Sequence, residues 1–120
     1  KDAEARAWSR KFFEKIKRMP SSIQAADYSA TLQYLTAVKA VGSDDSDKVI
    51  AQMKKTKIND VFAKGGYIRD DGRMVHDMYL MQVKTPQQST EPWDYYNVSQ
   101  VIKGEDAFTT KAETKCALWK

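Results

Sequence analysis

The sequence predicts an α/β fold in which three helices are followed by a hairpin and a long strand, and three observations carry that reading. Apolar residues recur at three- and four-residue steps as far as about Lys55, the spacing of one face of a helix. From Gly65-Gly66 onward the period shortens to two, the spacing of a strand. Two elements are also apolar on more than one side: the helix starting at Ser22 and the strand Met74 to Val83. A helix apolar all round is buried on several faces, and a strand apolar on both faces is covered on both. These two elements predict a larger shell than 120 residues build by themselves.

The first helix is expected over 2–18. Ala5, Trp8, Phe12 and Ile16 form its stripe and Phe13 widens it. Asp2 suits the N-cap, Glu4 the positive end, and Lys15, Lys17 and Arg18 the negative end. Met19-Pro20 stops it, because proline pushes the preceding residue out of the helical region. Ser21-Ser22 opens a second helix of about 20 residues, with one stripe at Ala25, Tyr28, Leu32 and Leu35 and another at Ala30, Tyr34, Ala37 and Val41. Gly42 closes it, since glycine takes the left-handed conformation cheaply. The run Ser43 to Asp47 caps a third helix reaching about Lys55, with Val49, Ile50 and Met53 inward.

Ile58, Val61 and Phe62 read as a short irregular stretch. Tyr67-Ile68-Arg69 is a short strand and Asp70-Asp71-Gly72 a turn, the Asp-Gly pair supplying the positive φ of tight hairpins. In the long strand, Met74, His76, Met78 and Leu80 face one way and Val75, Tyr79, Met81 and Val83 the other. A polar loop spans Thr85 to Pro92, a further strand is expected over Trp93 to Val98, and the stretch from Lys103 on reads as irregular.

Composition narrows the chemistry. The chain is 42% hydrophobic and 30% charged, enough apolar content for a packed core. Its net charge of +4 sits mostly on the first helix. A nucleic-acid interface would concentrate cations in a stripe among exposed aromatics; here they read as a solvated helix face, and no nucleic-acid partner is expected. No apolar run approaches the ~20 residues that span a bilayer. The opening residues lack an apolar signal core, so an export signal is expected to lie outside this sequence, which reads as a mature fragment. Cys116 is either a free, partly buried thiol or half of a disulfide to an upstream partner.

An enzyme is not expected. His76 has no neighbour at metal-ligand spacing, and Asp77 beside it points to the opposite face of a strand, so it reads as a core or hinge histidine. Asp44, Asp45 and Asp47 lack calcium-loop spacing, and Gly65-Gly66 lacks a phosphate-loop frame. No cofactor and no metal are expected.

The stretch PSSIQAADYSATLQYLTAVKAVGSDD, a three-turn helix, and then AKGGYIRDDGRMVHDMYLMQVK together resemble the carboxy-terminal portion of the Leu/Ile/Val-binding protein family. Pro20, Tyr28-Ser29-Ala30, Leu35, Ala37, Gly42, Gly65 and Asp71-Gly72 carry the match, and WDYYNVSQVIKGEDAF with a late cysteine resembles one subgroup. The resemblance implies a fragment of a two-lobed type I periplasmic binding fold. Residues 1–76 would complete the first lobe, and 77–120 would supply the last hinge strand, near His76 to Met78, and the closing part of the second. It implies a periplasmic solute receptor of an ABC importer, non-enzymatic, whose partners are a small-molecule solute and a membrane permease. The solute would be a branched-chain amino acid or a related small carboxylate such as an aromatic acid. The alternative on the same fold is a ligand-sensing regulatory domain. The fragment would associate with a missing segment or another copy. Ligand contacts map to Ile23, Gln24, Ala25 and Tyr28 at the start of the buried helix, where a helix amino end offers N–H groups to an anionic or polar solute. Ile23 equally fits core packing, Gln24 capping or solvent, and Tyr28 core.

Overall fold

A computed structural model describes residues 2–115, Ala117 and Trp119. The chain order is α1 (Ala3–Ile16), α2 (Ser22–Val41), α3 (Ser46–Lys55), β1 (Ile58–Asn59), β2 (Lys64–Ile68), β3 (Met74–Val75), β4 (Met78–Val83), β5 (Tyr96–Ile102) and α4 (Gly104–Ala107). Three helices thus precede the strands, as the change of period requires.

The helix ends follow from their caps. The Asp2 carboxylate accepts from Ala5 N at 2.9 Å and starts α1. Lys17 takes a left-handed conformation with φ 59°, and its N–H donates to the Phe13 carbonyl at 2.7 Å, so α1 ends before Arg18. Ser21 and Gln24 form a reciprocal capping box on α2, and Gly42 closes that helix at φ 67°. Asp45 accepts from Lys48 N at 3.0 Å and starts α3.

One body holds most of the buried residues. Strands β1, β2 and β3 form an antiparallel sheet in that order, with Ile58 opposite Gly66, Tyr67 opposite Val75 and Ile68 opposite Met74. Ala37, Val49, Ile58, Ala63 and Val75 are its buried apolar residues. Of the α3 residues expected inward, Val49 is buried and Met53 half-buried, whereas Ile50 is exposed. The stretch expected to be irregular contains β1, which pairs with β2 across a bulge.

The sheet is locked to α2 through a carboxylate. Asp60, 5% exposed, accepts from Ser29 Oγ at 2.6 Å and Gln33 Nε2 at 3.1 Å. Its other oxygen accepts from the backbone N–H groups of Phe62 and Ala63 at 2.9 and 3.1 Å. Burial raises its pKa, but these four donors outweigh burial and hold it below the ordinary carboxylate value.

The expected strand 74–83 is broken. Residues His76 and Asp77 leave the ladder, separating β3 from β4. His76 Nδ1 lies 2.8 Å from the Asp77 carbonyl, an oxygen that only accepts, so the imidazole donates there. The Asp77 carboxylate accepts from Gly104 N at 3.0 Å and Lys103 Nζ at 3.2 Å. One of these bonds is local and the two at Asp77 come from residues 26 and 27 positions further on; together they occupy the groups at the break and redirect the chain.

Beyond the break, β4 and β5 make a separate antiparallel ribbon running from Met78 opposite Ile102 to Val83 opposite Tyr96. The second strand was expected over 93–98. It forms three residues later, because Lys84 and Asp94 close the connecting loop with contacts of 2.6 and 2.7 Å and extend it to Tyr95. The stretch after Lys103 contains a short helix, α4, whose first N–H is capped by Asp77 and whose first turn carries Glu105 and Asp106.

Burial departs furthest from expectation. Every residue of β4 is exposed, and only Ser29 and Ala37 of α2 are buried. Among the described residues the apolar second faces of both elements are open. Cys116 lies outside the described residues.

Candidate functional site

A concavity of about 1070 Å³ lies between the α1–α2 joint and the β4–β5 ribbon. One wall is built by Phe12 and Ile16 of α1, the joint Lys17 to Ser21, and the first turn of α2 at Ser22 and Gln24. Tyr79 and Met81, two residues apart and therefore on one face of β4, begin the other wall. Trp93, Tyr95 and Tyr96 complete it.

Local sequence explains each wall. The left-handed Lys17 ends α1 and Ser21 caps α2, so the short joint between them and the amino end of α2 both line the cleft. In α2 the Ser21 hydroxyl takes the Gln24 N–H at 3.3 Å, and Gln24 Oε1 accepts from Ser21 N at 2.8 Å. Helix geometry leaves the N–H groups of Ser22 and Ile23 without an intrahelical acceptor. The amino end of a 20-residue helix also carries a partial positive charge. Lys17 and Arg18 add two cations to the same wall.

The ribbon wall is aromatic. Trp93 holds a left-handed backbone, φ 67°, which a bulky residue adopts only when its surroundings enforce it. Its ring stands edge-on to Phe13 with centroids 5.0 Å apart, and the neighbouring Asp94 is fixed by Lys84. The Lys84 ammonium is also what chiefly holds the Asp94 carboxyl below its ordinary value. Tyr95 and Tyr96 stack edge-on at 6.3 Å, each about half exposed. The cleft therefore offers flat apolar surface on one side and N–H groups with cations on the other, which suits a small solute with an apolar body and an anionic group.

Of the four residues singled out from sequence, Gln24 lines the cleft. Ile23 sits between two lining residues and is 78% exposed. Ala25 is half-buried, and Tyr28 is partly exposed with its ring 5.3 Å from that of Trp8, on α1. The opposite wall, Tyr79, Met81, Trp93, Tyr95 and Tyr96, escaped the sequence reading. The dense aromatic run Trp93 to Tyr96 was its one available signal. His76 is held between the rings of Phe62 and Phe108, at 5.0 and 5.5 Å, away from this cleft. Among the described residues no group of His, Cys, Asp and Glu side chains is arranged to hold a metal ion, and no helix is long and apolar enough to cross a membrane.

Comparison with known proteins agrees with this architecture. The family described as periplasmic binding protein matches residues 1–90. No curated protein matches the chain. Among solved structures, a periplasmic binding protein from Burkholderia mallei superposes with a TM-score of 0.96 at 63% identity, covering 100% of this chain and 32% of that one. A branched chain amino acid ABC transporter periplasmic ligand-binding protein from Burkholderia xenovorans LB400 superposes with a TM-score of 0.93 at 44% identity, covering 99% of this chain and 32% of that one. The chain thus spans about a third of the length of these neighbours. It belongs to the periplasmic binding protein family, and its compartment is the periplasm.

Proposed function

We propose that this chain is the carboxy-terminal part of a solute-binding receptor of an ABC importer. The receptor captures a branched-chain amino acid or a related small carboxylate, such as an aromatic acid, by lobe closure. The single observation that supports this best is the cleft whose one wall is the amino end of α2 and whose other is the aromatic ribbon face. One wall suits a carboxylate through N–H groups and cations, the other an apolar side chain. Residues 1–76 would belong to one lobe; 77–120 would supply the last crossing and the ribbon of the other lobe, with the stretch after Lys103 returning to the first body, where Phe108 meets His76 and Arg69 donates to the Thr109 carbonyl. Ile23 and Gln24 would meet the solute, with Ala25 and Tyr28 behind them along the helix.

The work done is binding. A solute that touches both lobes favours the closed state by its differential affinity, and a membrane permease reads that closure. The second Burkholderia neighbour is described as a ligand-binding protein of a branched-chain amino acid transporter, which favours the transport reading over a sensory one.

The test is a thermal-shift and calorimetric screen of the full-length protein against branched-chain amino acids and aromatic carboxylates. A true solute at 100 times its Kd raises stability by about 2.7 kcal/mol through mass action, visible as a higher melting temperature. A panel in which no member shifts the protein would remove the proposed solute classes.

A further inference from the structure

The β4–β5 ribbon leaves the three-stranded body through His76–Asp77 and returns to it through Lys103–Gly104. These two crossings run side by side into the first ladder pair, Met78 opposite Ile102, and the Asp77 side chain fastens them further. The Asp77 carboxylate accepts from Gly104 N at 3.0 Å with one oxygen and from Lys103 Nζ at 3.2 Å with the other. The carboxyl is held below its ordinary value, first by the Lys103 hydrogen bond and then by the Gly104 N–H.

Gly104 makes the close approach possible. It is buried, and a Cβ placed there would lie 2.8 Å from Val75 Cγ1 and 3.1 Å from the His76 carbonyl carbon and oxygen. The returning crossing therefore rests directly on the Val75 side chain and the His76 backbone of the outgoing one, with no side chain of its own between. His76, clasped by Phe62 and Phe108 and bonded to the Asp77 carbonyl, fixes the outgoing crossing on the body side. The ribbon itself is exposed along all of β4, so its orientation depends on this base and on the seat of Trp93 against Phe13.

We infer that Asp77 and Gly104 pin together the two crossings that this chain supplies between the body and the ribbon, and that Asp77 is a positioning residue for solute capture. The inference rests on the receptor reading above. A pin that holds both crossings together confines the ribbon to rotation about one axis. Without it the unliganded protein samples a wider set of ribbon orientations, and closing on a solute must first collapse that set. Asp77 touches no solute in this scheme; it acts through the geometry of the crossings.

The experiment uses the full-length protein as wild type, Asp77→Ala and Asp77→Asn. The asparagine keeps an acceptor for Gly104 N, so it serves as the conservative rescue. Three quantities are read: hydrogen exchange of the Lys103–Asp106 segment, small-angle scattering of the unliganded protein, and solute affinity by calorimetry. In Asp77→Ala, exchange accelerates, the scattering profile broadens, and affinity weakens by about tenfold, the scale expected for losing a hydrogen bond to a charged group. Asp77→Asn stays within about threefold of wild type in affinity, since the backbone contact survives. If Asp77→Ala only lowers the melting temperature, with unliganded scattering and affinity unchanged, the residue is merely structural and the pin is overturned. If the wild type binds no solute in the panel, the receptor reading fails separately. The pin then stands or falls on the unliganded exchange and scattering, where identical behaviour of Asp77→Ala and wild type overturns it.

Discussion

Asp60 and Ser29 show what a single buried polar pair contributes. Ser29 is 1% exposed, and its hydroxyl donates to a carboxylate that three other donors also hold. Ser29→Ala leaves that buried carboxylate short of one donor, and its expected cost is about 1–3 kcal/mol. Urea unfolding of the full-length protein checks it, and a loss under about 0.5 kcal/mol would show that the site relaxes around the gap. The same chemistry fixes an acid dependence. Arg69 hydrogen-bonds Asp71 at 2.7 and 2.9 Å and is the first cause lowering that carboxyl from 3.8 to about 2; Asp60 is lowered as well. Groups with depressed folded values stabilise fully above their unfolded value and lose that contribution as pH falls through the folded one. Stability is therefore expected to fall between about pH 4 and pH 2, with a shallower slope in Asp71→Asn. Neither partner of this scale was legible in advance. Nothing in the run Ile58-Asn59-Asp60 marks its carboxylate for burial, because its donors come from a helix some thirty residues away and from a turn.

Elements were legible where their signals are local. Ser21 and Gly42 bound α2 in the structure as their capping chemistry predicts, and Gly72 sits at φ 85° in the expected turn. The long strand misled because period-two apolar spacing continues straight through His76–Asp77, while the break there is held by Lys103 and Gly104, which reach the same end of the ribbon only after β5. The cleft divides the same way. Its α2 wall follows from a helix start, but the ribbon wall depends on Trp93 meeting Phe13, a contact between residues eighty positions apart that no local pattern encodes. Trp93 gives a prediction with an internal sign. Trp93→Ala loses the ring contact, worth about 0.5–1.5 kcal/mol beyond buried area, and keeps a β-carbon in a left-handed backbone. Trp93→Gly loses the same ring but is relieved of that backbone cost, so it should be more stable than Trp93→Ala by up to about 1 kcal/mol. Chemical denaturation of the two variants decides it. The reverse order would mean that the loop leaves the left-handed region once the ring is gone.

At the scale of the whole molecule, surface and size decide what the chain does alone. Its accessible surface is 9338 Å², against about 6,600 Å² for a folded monomer of 13.7 kDa. Its radius of gyration is 17.1 Å, against about 13.6 Å for a compact domain of 120 residues. The excess is apolar in character: Ile23, Leu32, Tyr34 and Leu35 on α2 and Tyr79, Leu80, Met81 and Val83 on β4 are all exposed. Exposed apolar area of that extent favours association, since burying it releases about 25 cal/mol per Å². The 120-residue chain expressed by itself should therefore bind a hydrophobic dye and elute as an associated species in size-exclusion chromatography. Its α2 amides should exchange faster than in the full-length protein, because the helix lacks cover on most of its circumference. The experiment has a clear opposite. A monomer with a scattering radius near 13.6 Å, no dye binding and one cooperative melting transition would mean that α2 and β4 find their own cover within 120 residues. In that case the open cleft and the exposed ribbon would close on themselves, and the two-lobed receptor would lose its physical basis.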